Sequence, residues 1–128
     1  MSTPSVISII DDDASVRFAI DNLLSAHGYA VETFASAEAF LRSARLNDTA
    51  CVVADVQMPV MTGLDLLAHL RSQGNTVPFI FITAFPDEGL RSHALQAEAI
   101  CFLAKPFAGP SLIQCLETAL KQHPGGSG

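Results

Sequence analysis

The sequence predicts an α/β fold in which a parallel sheet is covered by helices on both faces. Short, nearly continuous apolar runs alternate about five times with stretches of helical period. The first of them, Val6–Ile10, is nearly continuous, which marks a strand covered on both faces. Four of them also end in a residue that apolar character does not explain. Val6–Ile10 leads into Asp11-Asp12-Asp13, residues 51–54 into Asp55, 79–82 into Thr83, and 100–104 into Lys105.

Each element has a local reason. After the first strand, residues 14–27 carry Val16, Ile20, Leu23 and Leu24 on one helical stripe, and Gly28 supplies a stop. Ala30–Phe34 reads as the second strand. Ser36 is placed to cap a helix that turns Ala37, Phe40, Leu41 and Ala44 inward. Asn47-Asp48-Thr49 is turn chemistry before a third strand over 50–54. A loop through Met58-Pro59 and Gly63 leads to a helix over 64–73, with Leu67 and Leu70 facing the core and Gly74-Asn75 ending it. The fourth strand covers 77–82, a helix follows over 86–97, and the fifth strand covers 100–103. Gly109-Pro110 puts a proline at the start of the last helix, whose stripe is Leu112, Ile113, Leu116 and Leu120.

Strict βα alternation over this length implies right-handed crossovers and a three-layer α/β/α sandwich. The flavodoxin-like strand order 2-1-3-4-5 fits five parallel strands, with its switch point between strands 1 and 3. Those two strands end in aspartates. Ligands of such sheets bind beyond the carboxyl ends of the strands, so the terminal residues should meet in one crevice.

At 128 residues the chain fits one domain over 1–122, and 123–128, His-Pro-Gly-Gly-Ser-Gly, reads as a flexible tail or the start of a linker. That tail favours a segment excised from a longer protein over a single-domain one. Apolar residues at 49% and charged residues at 16% argue against disorder. A net charge of −6 argues against nucleic-acid binding by this segment, since phosphate contacts need clustered Lys and Arg. No basic leader and no apolar run of about 20 residues is present, so a cytoplasmic, non-membrane protein is expected. Cys51, Cys101 and Cys115 lack metal-type spacing and are expected as buried free thiols.

Carboxylates gathered in one crevice repel and call for a cation. A hard divalent ion with oxygen ligands is the usual answer, and Mg²⁺ typically takes one or two carboxylates plus a phosphate. Asp11 and Asp12 are the candidates, while Asp13 fits simple helix capping. Asp55, at the end of an apolar strand, could be a carboxylate nucleophile forming an acyl phosphate. Lys105, one of two lysines, sits where an ammonium needs a counter-charge, and the Lys105-Pro106 bond permits a cis peptide that aims the side chain inward. The Thr83 hydroxyl could donate to a phosphoryl oxygen, and Ala84 leaves room beside it. Phe102 reads as core on composition alone.

Together, Ile10-Asp11-Asp12, Asp55 through Met58-Pro59 to Gly63, Ile82-Thr83-Ala84 and Lys105-Pro106-Phe107 resemble, in order, the motifs of receiver domains of bacterial two-component response regulators. The similarity covers roughly residues 5–122, and residues 36–41 resemble the FixJ-like branch, which often precedes a helix-turn-helix output domain. The resemblance implies a CheY-like fold and a set of roles. Asp55 would accept a phosphoryl group from a sensor histidine kinase. Asp11, Asp12, Asp55 and the Gln57 main-chain carbonyl would hold Mg²⁺. Lys105 would pair with Asp55 and then with the phosphoryl group. Thr83 and Phe102 would switch, altering the surface of the fourth helix, fifth strand and fifth helix for a DNA-binding output domain or a phosphorylation-dependent homodimer.

Two departures stand out. Glu98 occupies a position where the family usually has glycine, and it would be strained if that turn needs positive φ. Phe85-Pro86 makes the loop after Thr83 bulkier than usual, and with Gln57 it would restrict the attacking water. The alternatives are an aspartate-nucleophile phosphatase of haloacid dehalogenase type, a flavodoxin-like cofactor binder and a pseudo-receiver. The first normally needs a second acid where Gln57 stands. The second needs a phosphate-binding loop after the first strand. The third does not fit intact Asp11, Asp12, Asp55, Thr83 and Lys105.

Overall fold

The computed structural model describes residues 6–43, 46 and 48–122, so the expectations for Ala44, Asn47 and the tail 123–128 lie outside the described residues. Strands β1 (Val6–Ile10), β2 (Ala30–Phe34), β3 (Thr49–Asp55), β4 (Phe79–Thr83) and β5 (Cys101–Ala104) alternate with helices α1 (Ala14–Ala26), α2 (Ala37–Leu41), α3 (Gly63–Ser72), α4 (Glu88–Gln96) and α5 (Gly109–Gln122). All strand pairs are parallel, in the order β2-β1-β3-β4-β5. The predicted fold and strand order are therefore present. No helix among the described residues is long and apolar enough to cross a membrane.

Successive strand residues point to opposite faces, and this splits the core in two. On one side Ile10, Val52, Ala54, Phe79 and Phe81 pack with Phe40 of α2, Leu66, Leu67 and Leu70 of α3 and Ala94 of α4. On the other, Ile7, Ile9, Val53, Ile80 and Ile82 pack with Ile20 and Leu24 of α1 and Leu112, Cys115, Leu116 and Ala119 of α5. Buried Ser8 interrupts the apolar pattern and is satisfied by half-buried Thr49, Ser8 Oγ lying 2.6 Å from Thr49 Oγ1.

Helix starts follow the sequence closely. Asp13 caps α1 by accepting from Ser15 N, and Ser36 caps α2 by accepting from Ala39 N. Thr62 and Asp65 form a capping box on α3. Helix α4 begins at Glu88 rather than at Pro86, with Asp87 in extended conformation at its N-cap. Strand β3 gains Thr49 and Asp55, and β4 begins after Pro78, which has no N–H for the ladder.

Three helices end alike. In α1, α3 and α4 the second residue past the C-cap donates to a carbonyl in the last turn: Tyr29 N to Leu24 O, Asn75 N to Leu70 O, and Ala99 N to Ala94 O. The residue between must adopt positive φ. Gly28 (+90°) and Gly74 (+80°) do so freely, whereas α4 uses Glu98 at +69°. The strain anticipated at Glu98 is present.

The cysteine expectation is corrected. Cys51 is free and buried, but Cys101 and Cys115 form a disulfide. Alternation along β5 turns Cys101 toward the α1/α5 face, and α5 brings Cys115 over it with the Cα atoms 6.1 Å apart, within bridging range. A spacing of 14 residues across a strand-loop-helix unit conceals that proximity in the linear sequence.

Candidate functional site

Strand register assembles the site. Ile10 pairs with Ala54, so Asp11 and Asp55 emerge side by side; Asp55 pairs with Ile82, and Thr83 with Ala104. The next residues along are Asp11, Val56, Thr83 and Lys105. The crevice beyond the strand ends therefore holds the predicted chemistry, because parallel strands all finish at the same edge.

Carboxylate oxygens of Asp11, Asp12 and Asp55 lie within 4.8 Å of one another. Asp11 and Asp55 are buried and Asp12 is exposed. The Lys105 ammonium donates to Asp11 Oδ2 at 2.9 Å and to Asp55 Oδ2 at 3.2 Å. The Lys105-Pro106 bond is cis, as the dipeptide permits. Backbone amides fix the remaining carboxylate oxygens: Asp13 N donates to Asp11 Oδ1 at 2.8 Å, and Gln57 N to Asp55 Oδ1 at 2.9 Å.

Asp11 and Lys105 shift in the same direction, which means opposite things for their charge. Burial alone would lower the Lys105 pKa, but hydrogen bonds and charges from Asp11 and Asp55 outweigh it and raise it, favouring the ammonium. Burial raises Asp11, the Asp55 charge adds to this, and the Lys105 and Asp13 hydrogen bonds only partly offset it. The lysine faces surplus negative charge, whereas two buried carboxylates share one cation. The cluster is thus short of positive charge, and its all-oxygen donor set suits a hard divalent ion.

Thr83 is fully buried, accepts from Phe85 N at 3.1 Å and donates to Gln57 Oε1 at 3.4 Å. Phe102 stands apart from the carboxylates, half-buried in a cleft between β5 and the start of α4, with Pro86, Asp87, Glu88, Arg91 and Ala104. Phe85 is 72 % exposed beside the crevice.

Arg17 was not singled out by the sequence reasoning. Its guanidinium donates to the Asp11 main-chain oxygen at 2.6 Å, pinning the acidic turn from α1. Its only sequence signal is a cation one helical turn into a helix that follows an acidic run. Val60 also gave no warning: it holds φ +69° and is 93 % exposed, in the loop between Asp55 and Gly63.

The sequence matches the model of the response regulator receiver domain family over residues 7–117. The chain belongs to that family. It is 38% identical over 120 residues to the response regulator protein TodT of Pseudomonas putida, covering 94% of this chain and 53% of that protein. It is 36% identical over 122 residues to the transcriptional regulatory protein FixJ of Bradyrhizobium diazoefficiens, covering 95% of this chain and 60% of that protein. The receiver thus spans little more than half the length of these curated relatives. The crystal structure of FixJ-N superposes with a TM-score of 0.83 at 34% identity, covering 94% of this chain and 96% of that one. The receiver's FixJ-like character rests on FixJ proteins from three organisms at 35–37% identity.

Proposed function

We propose that this receiver accepts a phosphoryl group on Asp55 from the phosphohistidine of a sensor histidine kinase, as one step of a two-component pathway in the cytoplasm. The observation that carries the proposal is the Lys105 ammonium bridging Asp11 and Asp55, with Asp12 beside them. An oxygen of the Asp55 carboxylate attacks phosphorus, the phosphorus–nitrogen bond breaks, and its electron pair stays on the imidazole. Lys105 then turns from Asp55 to a phosphoryl oxygen, and the Thr83 hydroxyl leaves Gln57 to donate to another. Asp11, Asp12, Asp55 and the Gln57 main-chain carbonyl would hold Mg²⁺, which would supply the positive charge that the cluster lacks. The Gln57 amide holds the Asp55 carboxylate, and Gly63 N donates to the carbonyl of the next residue along, Val56.

Withdrawal of Thr83 frees space behind it, and Phe102 moves inward from its half-buried cleft. The surface of α4, β5 and α5 changes accordingly, and that surface serves a C-terminal DNA-binding output domain or a phosphorylation-dependent homodimer. The working unit is residues 1–122. Incubation with acetyl phosphate and Mg²⁺, read by intact mass, should give one phosphoryl adduct in the wild type. Asp55→Asn should give none, and an adduct in that variant would overturn the assignment.

A further inference from the structure

We propose that Cys101 and Cys115 form a reversible thiol–disulfide site through which the redox state of the surroundings controls the order of the segment carrying Lys105. The control of phosphorylation and the reducing cytoplasmic setting rest on the function proposed above; the Cys101–Cys115 pairing does not. Two observations carry it. The bond ties β5 to α5 and closes a loop over residues 101–115, within which lie Phe102, Lys105 and Phe107. Lys105, Pro106, Phe107 and Gly109 also wall an open apolar groove of about 580 Å³ against Ser15, Val16, Ala19 and Leu23 of α1, so this stretch borders open space. A covalent clip at both ends of such a segment limits its excursions, and opening it releases them. Disulfides in reducing compartments are usually transient and redox-sensing rather than structural.

The co-reactant is a small disulfide such as oxidised glutathione. The Cys101 thiolate, on the edge strand, attacks one of its sulfurs, forming a mixed disulfide and releasing one glutathione thiolate. The Cys115 thiolate then attacks the Cys101 sulfur and releases the second. Two electrons pass from the protein sulfurs to glutathione, and the two thiol protons go to solvent or to the released thiolates. Reduced glutathione or a dithiol reverses both steps. Cys51 takes no part, because it is fully buried and burial pushes its thiol pKa far up.

The full chain is equilibrated in glutathione buffers across a range of oxidised-to-reduced ratios, acid-quenched, denatured and alkylated, and thiols are counted by mass. The expected count passes reversibly from three in reducing buffer to one in oxidising buffer, and Cys101→Ser holds at two throughout. Three thiols at every ratio, or one at every ratio, would overturn the redox site. Hydrogen exchange over residues 101–115 and the rate of adduct formation with acetyl phosphate are then compared in the two states. The oxidised form should exchange more slowly in that segment and form the adduct several-fold faster. Equal exchange and equal rates in both states would overturn the control. An adduct in neither state would sink the proposed phosphorylation instead, leaving the thiol count and the exchange data as the test of the site.

Discussion

Gly63 lies so close to Asp55 that a Cβ built on it would fall 2.6 Å from the Asp55 main-chain oxygen and 2.9 Å from the ring of Phe81. Both obstacles are rigid, one being backbone and the other a fully buried aromatic side chain. The glycine of the loop motif is therefore required by contact rather than by φ. Gly63→Ala should destabilise the receiver by about 1–3 kcal/mol, the usual range for overpacking. It should also slow adduct formation at Asp55, because relief comes most easily by moving that strand end. Urea titration with acetyl phosphate kinetics checks both; a fully stable, fully active variant contradicts the argument.

The shortage of positive charge predicts a pH dependence. A carboxyl raised in the folded state favours folding in its protonated form, so its contribution is full below the ordinary value of 3.8 and is lost as pH rises through the folded value. Asp55→Asn removes a charge that helps raise Asp11. In chelator at neutral pH this variant should be more stable than wild type, by on the order of 1 kcal/mol. Mg²⁺ should raise the melting temperature of the wild type more than that of the variant. Calorimetry with and without the ion reads both, and a variant less stable in chelator would oppose the reading. Lys105 is also raised, so its contribution is full below 10.5 and fades only as pH climbs through its folded value.

Glu98 supplies a stability prediction that does not involve the crevice. It performs in α4 the task that Gly28 and Gly74 perform in α1 and α3. Glu98→Gly should stabilise by about 1 kcal/mol, because the left-handed conformation is costly for a residue with a Cβ. Gly28→Ala and Gly74→Ala should lose about as much, although a Cβ at either meets nothing within 4 Å. Chemical denaturation of the three variants decides it; no gain from Glu98→Gly would count against strain.

Phe85 predicts a lifetime. Its amide is fixed by Thr83 and its ring stands largely exposed beside the crevice. Phe85→Ser should open a path for water and speed loss of the phosphoryl group about threefold or more, roughly 0.7 kcal/mol in barrier. Decay of the adduct, followed by mass after acetyl phosphate is removed, measures this. An unaltered half-life would dismiss the ring as a shield.

Much of this was legible beforehand because parallel strands convert sequence order into spatial convergence. Apolar runs ending in Asp11, Asp55, Thr83 and Lys105 point to one edge of the sheet, and register does the rest. Caps at Asp13 and Ser36 were legible because they are local. The contact of Arg17 with the Asp11 carbonyl was hidden, since main-chain acceptors leave no mark on residue type. The Cys101–Cys115 bond was hidden because it depends on how α5 lies across β5. Val60 was hidden because nothing in its neighbours announces a left-handed valine.

The acidic crevice sits at one rim of the sheet, while the turns at Gly28 and Gly74 lie at the opposite rim with open space around them. That polarity gives the molecule a working end and a spare end. A fluorescent reporter or an affinity handle spliced into either glycine turn would travel as a passenger, leaving the acidic crevice free to be watched in action.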